Sequence, residues 1–467
     1  MNRRKILSEL LREMWRSTPS TRAKLETMQA RRIEKALDFF RSNTAYFAAL
    51  GDVPLGQLPR MNKQVMMDHF DELNSAGISK STAFELARRA ERSRDFSPEW
   101  NGVTVGLSSG TSGNAGLFLT NDGDKARYAA AVARKLLWPL MRKRGLRPSR
   151  RSWPLRAALL FRSDSPLYQS TNSPLVKLRF IDITAADFPQ TDDLAAFDPH
   201  VILGPPAALE LLAQTAAHRL QPERVFSVAE VLEDDVRGRL QRAFKVPVIH
   251  QLYQCTEGFL GSTCEHGTLH LHEDMVHIEK SWLNGSSSTV AAPGRRYHPV
   301  ITDFTRRTQA IVRYELNDIL VEGPPCPCGS LFSAVAKIEG RSDDVFELHA
   351  ANGGVVRLFP DQIRNTLLVA SSAPSNFLVE QVGPTSIRIS LKLDPSNKAA
   401  NTQASNRVHQ AFQDLLVSRG VRNPSIEPAP WTNPGLERKQ RRIVNRMTRK
   451  PEPNQTERAP LELTEIT

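Results

Sequence analysis

The chain has 467 residues, of which 24% are charged, 40% hydrophobic and 7% aromatic. At roughly 150 residues per domain, this supports about two to four domains with cores of their own and excludes wholesale disorder. The formal net charge of +12 would suit a phosphate backbone, where clustered cations release counterions, but Arg is scattered along the whole chain, which argues against a nucleic-acid binder. Four cysteines, Cys255, Cys264, Cys326 and Cys328, are too few for a disulfide framework and point to a reducing compartment.

The first twenty residues are basic but lack a continuous apolar stretch and a small-residue cleavage site, which disfavours a signal peptide. No apolar run approaches the roughly 18 residues of a membrane helix, so a cytoplasmic protein is expected. Leu7, Leu10, Leu11 and Met14 have the spacing of a helix face packed on the fold. Helical periodicity predicts two helices between Arg3 and Leu50, interrupted at Ser42-Asn43, and a further helix after Leu58-Pro59, over 61–73. A β-rich run at 103–107 feeds a Gly/Ser/Thr loop, and a helix is expected over 130–141. Arg142 to Arg156 then forms a basic cluster that reads as a solvated helix end and loop, because Trp153 alone is interleaved for stacking.

Strands expected at 157–161, 201–204, 225–230 and 246–253 alternate with helices at 206–218 and 234–244, the pattern of an α/β layer architecture. From 264 to 345 the texture turns to strands and turns. The segment 345–447 carries a strand, a helix at 360–368, strands at 377–382 and 386–393 and a helix at 406–420, enough for a small α+β domain. The polar tail 449–467 is expected to be disordered. There is no internal repeat.

Several short stretches carry chemistry. Ser108-Ser109-Gly110-Thr111-Ser112-Gly113 follows a strand; glycines let the backbone approach an anion, and hydroxyls can wrap phosphate oxygens. It is not a Walker loop, because the Lys-Ser/Thr pair is missing. Tyr253-Gln254-Cys255-Thr256-Glu257-Gly258 ends a strand with a ring that can stack on a base, a hydroxyl for a phosphate and a carboxylate for Mg²⁺. Arg313 to Asp318 ends another apolar strand with an acid of the type that receives ribose hydroxyls. Gly340-Arg341-Ser342-Asp343-Asp344 stands where the texture changes. Each has a plain reading too: a flexible turn, a core tyrosine, a surface acid, a Gly-Arg turn.

Three thiolates and an imidazole make a closed tetrahedral zinc shell, and Cys326-Pro327-Cys328-Gly329 is a turn that lets two sulfurs face one point. Cys264 stands near His266, His270 and His272. His272 would share a strand face with His270. With no open coordination position or general base in sight, the site is structural. Cys255, inside the nucleotide motif, reads as a packed small residue.

Taken in order, SSGTSG, YQCTEG, RYELND, GRSDD and GLERKQRRIVNR resemble the adenylate-forming (acyl-CoA synthetase) superfamily, and within it the phenylacetate-CoA ligase and coenzyme F390 synthetase branch. The likeness spans about 30 to 447. It implies a large multi-layer α/β N-terminal domain over 1–342, strand-rich and zinc-bearing at 264–342, and a small mobile α+β domain over 343–448. It also implies roles. Ser108 to Gly113 would close over the β- and γ-phosphates, Tyr253 would flank adenine, and Ala229-Glu230 would lie along the purine edge. Thr256 would contact the α-phosphate, Glu257 would hold Mg²⁺, and Asp318, assisted by Arg341, would bind the ribose. Asp343 would be the hinge and Lys439 the mobile catalytic lysine, unless it is a solvated residue of a basic helix. Cys264, His270, Cys326 and Cys328 would hold Zn²⁺.

The implied reaction is ATP-dependent activation of a small carboxylic acid to an acyl-adenylate, then transfer to a thiol, CoA. Adenylyl transfer to a hydroxyl and acyl transfer to an amine or carrier protein are the alternatives. A homodimer is compatible. The loop reads SGNAG where relatives often have SGKP, and the strand before Asp318 lacks their usual Thr. The acid-binding pocket is expected between the strands of 201–230 and the loop 253–262.

Overall fold

A computed structural model describes residues 8, 9, 11, 12, 19–93, 95, 98–107, 116–140, 154–162, 176–283, 294–436 and 439–447. The phosphate-loop residues Ser108 to Gly113, the apolar positions Leu7, Leu10 and Met14, Arg142 to Trp153 of the basic cluster and the tail 449–467 lie outside the described residues. The N-terminal layer comprises α1 (Arg22–Asn43), α2 (Ala45–Leu50), α3 (Lys63–Asp68) and α4 (Lys80–Ser93). The break between α1 and α2 falls at Thr44, whose backbone is extended. The helix expected over 61–73 is confined to α3. A small antiparallel sheet follows, of β1 (Glu99–Trp100), β2 (Val103–Leu107) and β3 (Leu117–Asn121), and leads into α5 (Asp122–Val132). The helical segment continues from α5 through a π-type turn at Ala133–Leu137.

The central sheet has twelve strands. Its parallel half is β4 (Leu155–Phe161), β5 (Val176–Asp182), β6 (Val201–Gly204), β7 (Arg224–Val228) and β8 (Ile249–Cys255), in the spatial order β5-β4-β6-β7-β8. Helices α6 (Thr191–Phe197), α7 (Pro206–Thr215) and α8 (Asp234–Phe244) connect them. Successive strand residues point to opposite faces. Thus Ala157, Val201 and Phe226 belong to one core cluster with Leu136 and Leu140, while Ala158, Ile202 and Val225 pack beneath α7 and α8. Strands buried on both faces are near-continuously apolar, which is why these were visible in the sequence. β5 and α6 were not foreseen. β5 is an edge strand with one neighbour and only one buried residue, and its Lys177, Arg179 and Asp182 break the apolar run. The strand expected at 246–253 starts later, at Ile249, past Pro247, which has no N–H for a ladder.

Beyond β8 the sheet turns antiparallel, through β9 (Gly258–Thr263), β10 (Leu269–Leu271), β11 (Val276–Trp282), β12 (Arg296–Asp303), β13 (Tyr314–Glu315), β14 (Asp318–Glu322) and β15 (Ala334–Arg341). Asp318 therefore opens a strand instead of ending one. Arg313 ahead of it has a left-handed φ of 47°, and the chain leaves β13 irregularly before β14 begins.

The last part has a core of its own, built on Phe346, Ile363, Phe377, Val379, Ile389, Phe412 and Ile443. It contains the hairpin β16 (Phe346–His349) and β17 (Val355–Leu358), helices α9 (Pro360–Ala370) and α10 (Lys398–Ser418), and a sheet of β18 (Asn376–Gln381), β19 (Ser386–Lys392), β20 (Ser425–Ala429) and β21 (Ile443–Asn445). It meets the rest through ion pairs: buried Arg364 Nε lies 2.5 Å from Glu233, Arg442 3.0 Å from Asp235, and Asp361 2.8 Å from Arg296. No helix among the described residues is long and apolar enough to cross a membrane.

The β9–β10 pair approaches closely at Gly261. A Cβ there would stand 2.8 Å from the backbone oxygen of His270. Gly261→Ala should lower the unfolding free energy by about 1–3 kcal/mol, read as a lower denaturant midpoint. An unchanged midpoint would mean that the two strands can part without cost.

Candidate active site

In open α/β sheets the crevice for ligands lies beyond the carboxyl ends of the parallel strands. Three such ends meet here. Pro206 and Ala207 follow β6, Ala229 and Glu230 follow β7, and Tyr253 to Glu257 close β8. Together with the start of β14 and the segment around Lys439 they enclose a cavity of about 470 Å³, within the roughly 300–1,000 Å³ usual for small-molecule sites. The cavity thus opens between 201–230 and the end of β8, and it also takes in the C-terminal part around Lys439.

The side chains in this cavity are tied to one another. Tyr253 donates its hydroxyl to Asp318 Oδ2 at 2.8 Å, its ring buried in the wall. Burial, more than the Arg341 guanidinium can offset, raises the Asp318 carboxyl above its ordinary range. Thr256 Oγ1 donates to Glu257 Oε2 at 2.9 Å. Arg341 stands opposite Asp318 in the β14–β15 register and donates to Asn317 Oδ1 at 2.6 Å. Asn317 in turn donates to Asp343 Oδ1 at 2.7 Å, so the residues at the expected joint are linked to the start of β14 beside Asp318. Ala229 takes a left-handed φ of 71°, a strained choice for a residue with a Cβ and typical of functional turns. Glu230 beside it is buried and accepts from Arg162 at 3.1 Å and from the Gln440 amide at 3.2 Å. Its burial raises its pKa.

Lys439 is not in a helix; it sits in an irregular stretch ahead of β21. It lines the cavity with Arg341, Glu230 and Asp318 as charged neighbours. Burial, then Arg341, lowers its pKa below the usual lysine value, and the two carboxylates oppose that shift. Cys255 is packed, its Sγ 3.8 Å from the Gly258 oxygen, and burial raises its thiol pKa, which disfavours a nucleophilic role.

Lys63 was missed by the sequence reading. It lines the same cavity, with Glu257 and Arg341 as charged neighbours, and burial lowers its pKa. One cue existed: a lysine in the first turn of a helix opposes the helix dipole, as Lys63 does at the start of α3.

A second cluster lies apart from the cavity. Sγ atoms of Cys264, Cys326 and Cys328 and a ring nitrogen of His270 all fall within 4.8 Å of one another. Cys264 Sγ is 3.7 Å from Cys326 Sγ, and His270 Nε2 is 3.3 Å from Cys328 Sγ. The other ring nitrogen, Nδ1, lies 3.1 Å from the Phe332 carbonyl, an arrangement that fixes the ring and leaves Nε2 free for a metal. His272 is engaged elsewhere, by Ser262 and the Phe259 carbonyl. The donor set suits a tetrahedral thiophilic cation.

No family model matches the chain, and no curated protein matches it in sequence. Solved structures do. A 2-hydroxyisobutyryl-CoA ligase in the post-adenylation state, in complex with 2-HIB-AMP, superposes with a TM-score of 0.62 at 15% identity, covering 93% of this chain and 94% of that one. The same ligase with 2-HIB-AMP and CoA in its thioesterification state gives 0.52 at 16% identity and the same coverage. AtGH3.15 acyl acid amido synthetase in complex with 2,4-DB gives 0.56 at 13% identity, over 92% and 89% of the two chains. The chain has the α/β fold of adenylate-forming enzymes.

The thiolate cluster should take up one Co²⁺ per chain, seen by native mass spectrometry and by thiolate charge-transfer absorption. His270→Ala should abolish that signal, while His266→Ala and His272→Ala keep it. Retention by His270→Ala would contradict the ligand set.

Proposed function

We propose that this protein is an ATP-dependent, AMP-forming ligase of the phenylacetate-CoA ligase type, which joins a small carboxylic acid to CoA. The observation that carries the reading is Lys439. A lysine from the C-terminal part shares one cavity with Asp318, Glu230, Tyr253, Thr256 and Glu257, all from the central sheet. The fold is that of enzymes caught with acyl-AMP, and the superposition is better on the post-adenylation form of the ligase than on its thioesterification form.

Attack of a carboxylate on the α-phosphorus of ATP, with loss of pyrophosphate, brings negative charge to a negative centre. The barrier is electrostatic and positional. Asp318 would receive the ribose hydroxyls, Tyr253 would flank the adenine and Ala229-Glu230 would follow its edge. Thr256 would meet the α-phosphate, and Glu257 would hold Mg²⁺, whose charge offsets that of the phosphates when bound. Lys439 would place an ammonium on the developing charge, and Lys63 would add a second cation beside Glu257. A long, flexible point charge is suited to delivery and withdrawal. The C-terminal part, turning about Asp343, would then expose the acyl-adenylate so that the CoA thiol attacks the carbonyl and AMP leaves. The cysteine cluster would hold Zn²⁺ as a structural ion.

ATP–pyrophosphate exchange over a panel of aryl and short-chain carboxylates tests this reading. At least one acid should support exchange, and adding CoA should release AMP. Lys439→Ala should slow exchange by roughly 100- to 1,000-fold with the fold intact. Near-normal exchange in that variant would refute the assignment. The reaction needs the charged lysine, and burial and Arg341 lower its pKa. Exchange should therefore fall as pH rises through a value below the usual lysine range. Lys439→Arg, which does not titrate there, should flatten that alkaline limb; an unchanged limb would assign it to another group.

A further inference from the structure

Arg306 has no part in the reading above, yet it stands directly behind the Thr256–Glu257 turn. One N–H, on Nη2, is donated to the carbonyl oxygen of Thr256. Nε lies 3.9 Å from Asp303 Oδ2, too far for a hydrogen bond. Nη1 is buried and has no hydrogen-bond partner among the described residues. Asp303 is a charged neighbour that leaves the Nη1 donors of the guanidinium unused: its Oδ1 accepts from Thr305 and from the Arg306 amide. Burial raises the Asp303 pKa, and the Arg306 charge opposes that shift. A guanidinium cannot shed its proton, so a cation with an unused donor is fixed in the wall.

Its surroundings indicate what it faces. Arg306 shares a small void of about 10 Å³ with Lys63, Gly116, Thr256 and Glu257, and Lys63, Thr256 and Glu257 also line the large cavity. Arg306 is absent from the lining of the large cavity, where Asp318 and Tyr253 sit. A nucleotide with its ribose at Asp318 and its α-phosphate at Thr256 would extend its remaining phosphates toward Lys63 and Arg306. We propose that Arg306 is a binding residue for the pyrophosphate portion of ATP, held in place by the Thr256 carbonyl and presenting Nη1 to a phosphate oxygen. This rests on the nucleotide reading given under the proposed function. A planar guanidinium with one N–H anchored gives up less freedom on binding a phosphate than a lysine does.

The alternative is that Arg306 braces the Thr256 turn and touches no ligand. Calorimetric titration of ATP, inorganic pyrophosphate and AMP into the wild type, Arg306→Gln and Arg306→Lys separates the two. Gln keeps a polar side chain but carries no charge; Lys keeps the charge and loses the fork. Arg306→Gln should weaken ATP and pyrophosphate by about tenfold or more and change AMP by less than about threefold. Arg306→Lys should recover part of the pyrophosphate affinity. Equal weakening of AMP and ATP in both variants, or unchanged ATP and pyrophosphate in Arg306→Gln, would overturn the proposal. A wild type that binds none of the three would overturn the nucleotide reading itself.

Discussion

A hydrogen bond of 2.8 Å from Tyr253 to Asp318 is the constraint on which the site depends. In the sheet, β8 and β14 are separated by β9, β10 and β15. Four strand spacings would hold them roughly 19 Å apart in a flat sheet, far beyond the reach of one tyrosine. The antiparallel half must therefore curl back on the end of β8. That curl makes the end of β8 and the start of β14 walls of one cavity and brings the Asp318 carboxyl to the strand end that leads into Thr256. Strand β8 also marks the change of direction, parallel to β7 and antiparallel to β9. The chain must reverse at once, and Thr256 and Glu257 occupy the reversal.

The cysteine–histidine cluster lies at the opposite end of the same strands. Cys264 and His270 belong to the β9–β10 hairpin, and Cys326 and Cys328 to the connection from β14 to β15. At the other ends of these strands stand Glu257, just ahead of β9, Asp318 at the start of β14 and Arg341 at the end of β15. An ion bound there would cross-link both hairpins and hold the curl that aligns the three, a role for a metal that never meets the nucleotide.

What the sequence revealed and what it concealed follow from burial and contact distance. The parallel strands were legible because two-sided burial writes continuous apolar runs, as in Ala157 to Phe161. Edge strand β5 was not, since the charged Lys177 and Arg179 interrupt its apolar residues. The short motifs from Tyr253 to Glu257 and from Arg313 to Asp318 were visible as unusual clusters of polar residues at strand ends. Lys63 and Arg306 were not, because each acquires its meaning from Glu257 or Thr256, far away in the chain. A lone cation near a turn carries no local signal. The participation of Lys439 was suggested by resemblance to other chains, and the fold supplies its neighbours Glu230 and Asp318.

The C-terminal part is held to the central sheet by ion pairs. Glu233–Arg364 is a buried pair; separating such charges is unfavourable unless water or new partners replace them. Asp235–Arg442 and Arg296–Asp361 add partly exposed contacts. These pairs favour the arrangement that keeps Lys439 at the cavity, the arrangement that the proposed attack on the α-phosphorus would need. The most direct measurement of that attack uses an acid that supports exchange, with its carboxylate enriched in a heavy oxygen isotope. After complete turnover with ATP and CoA, mass spectrometry should find one heavy oxygen in AMP. Heavy oxygen in orthophosphate, with none in AMP, would place the attack at another phosphorus and contradict the account.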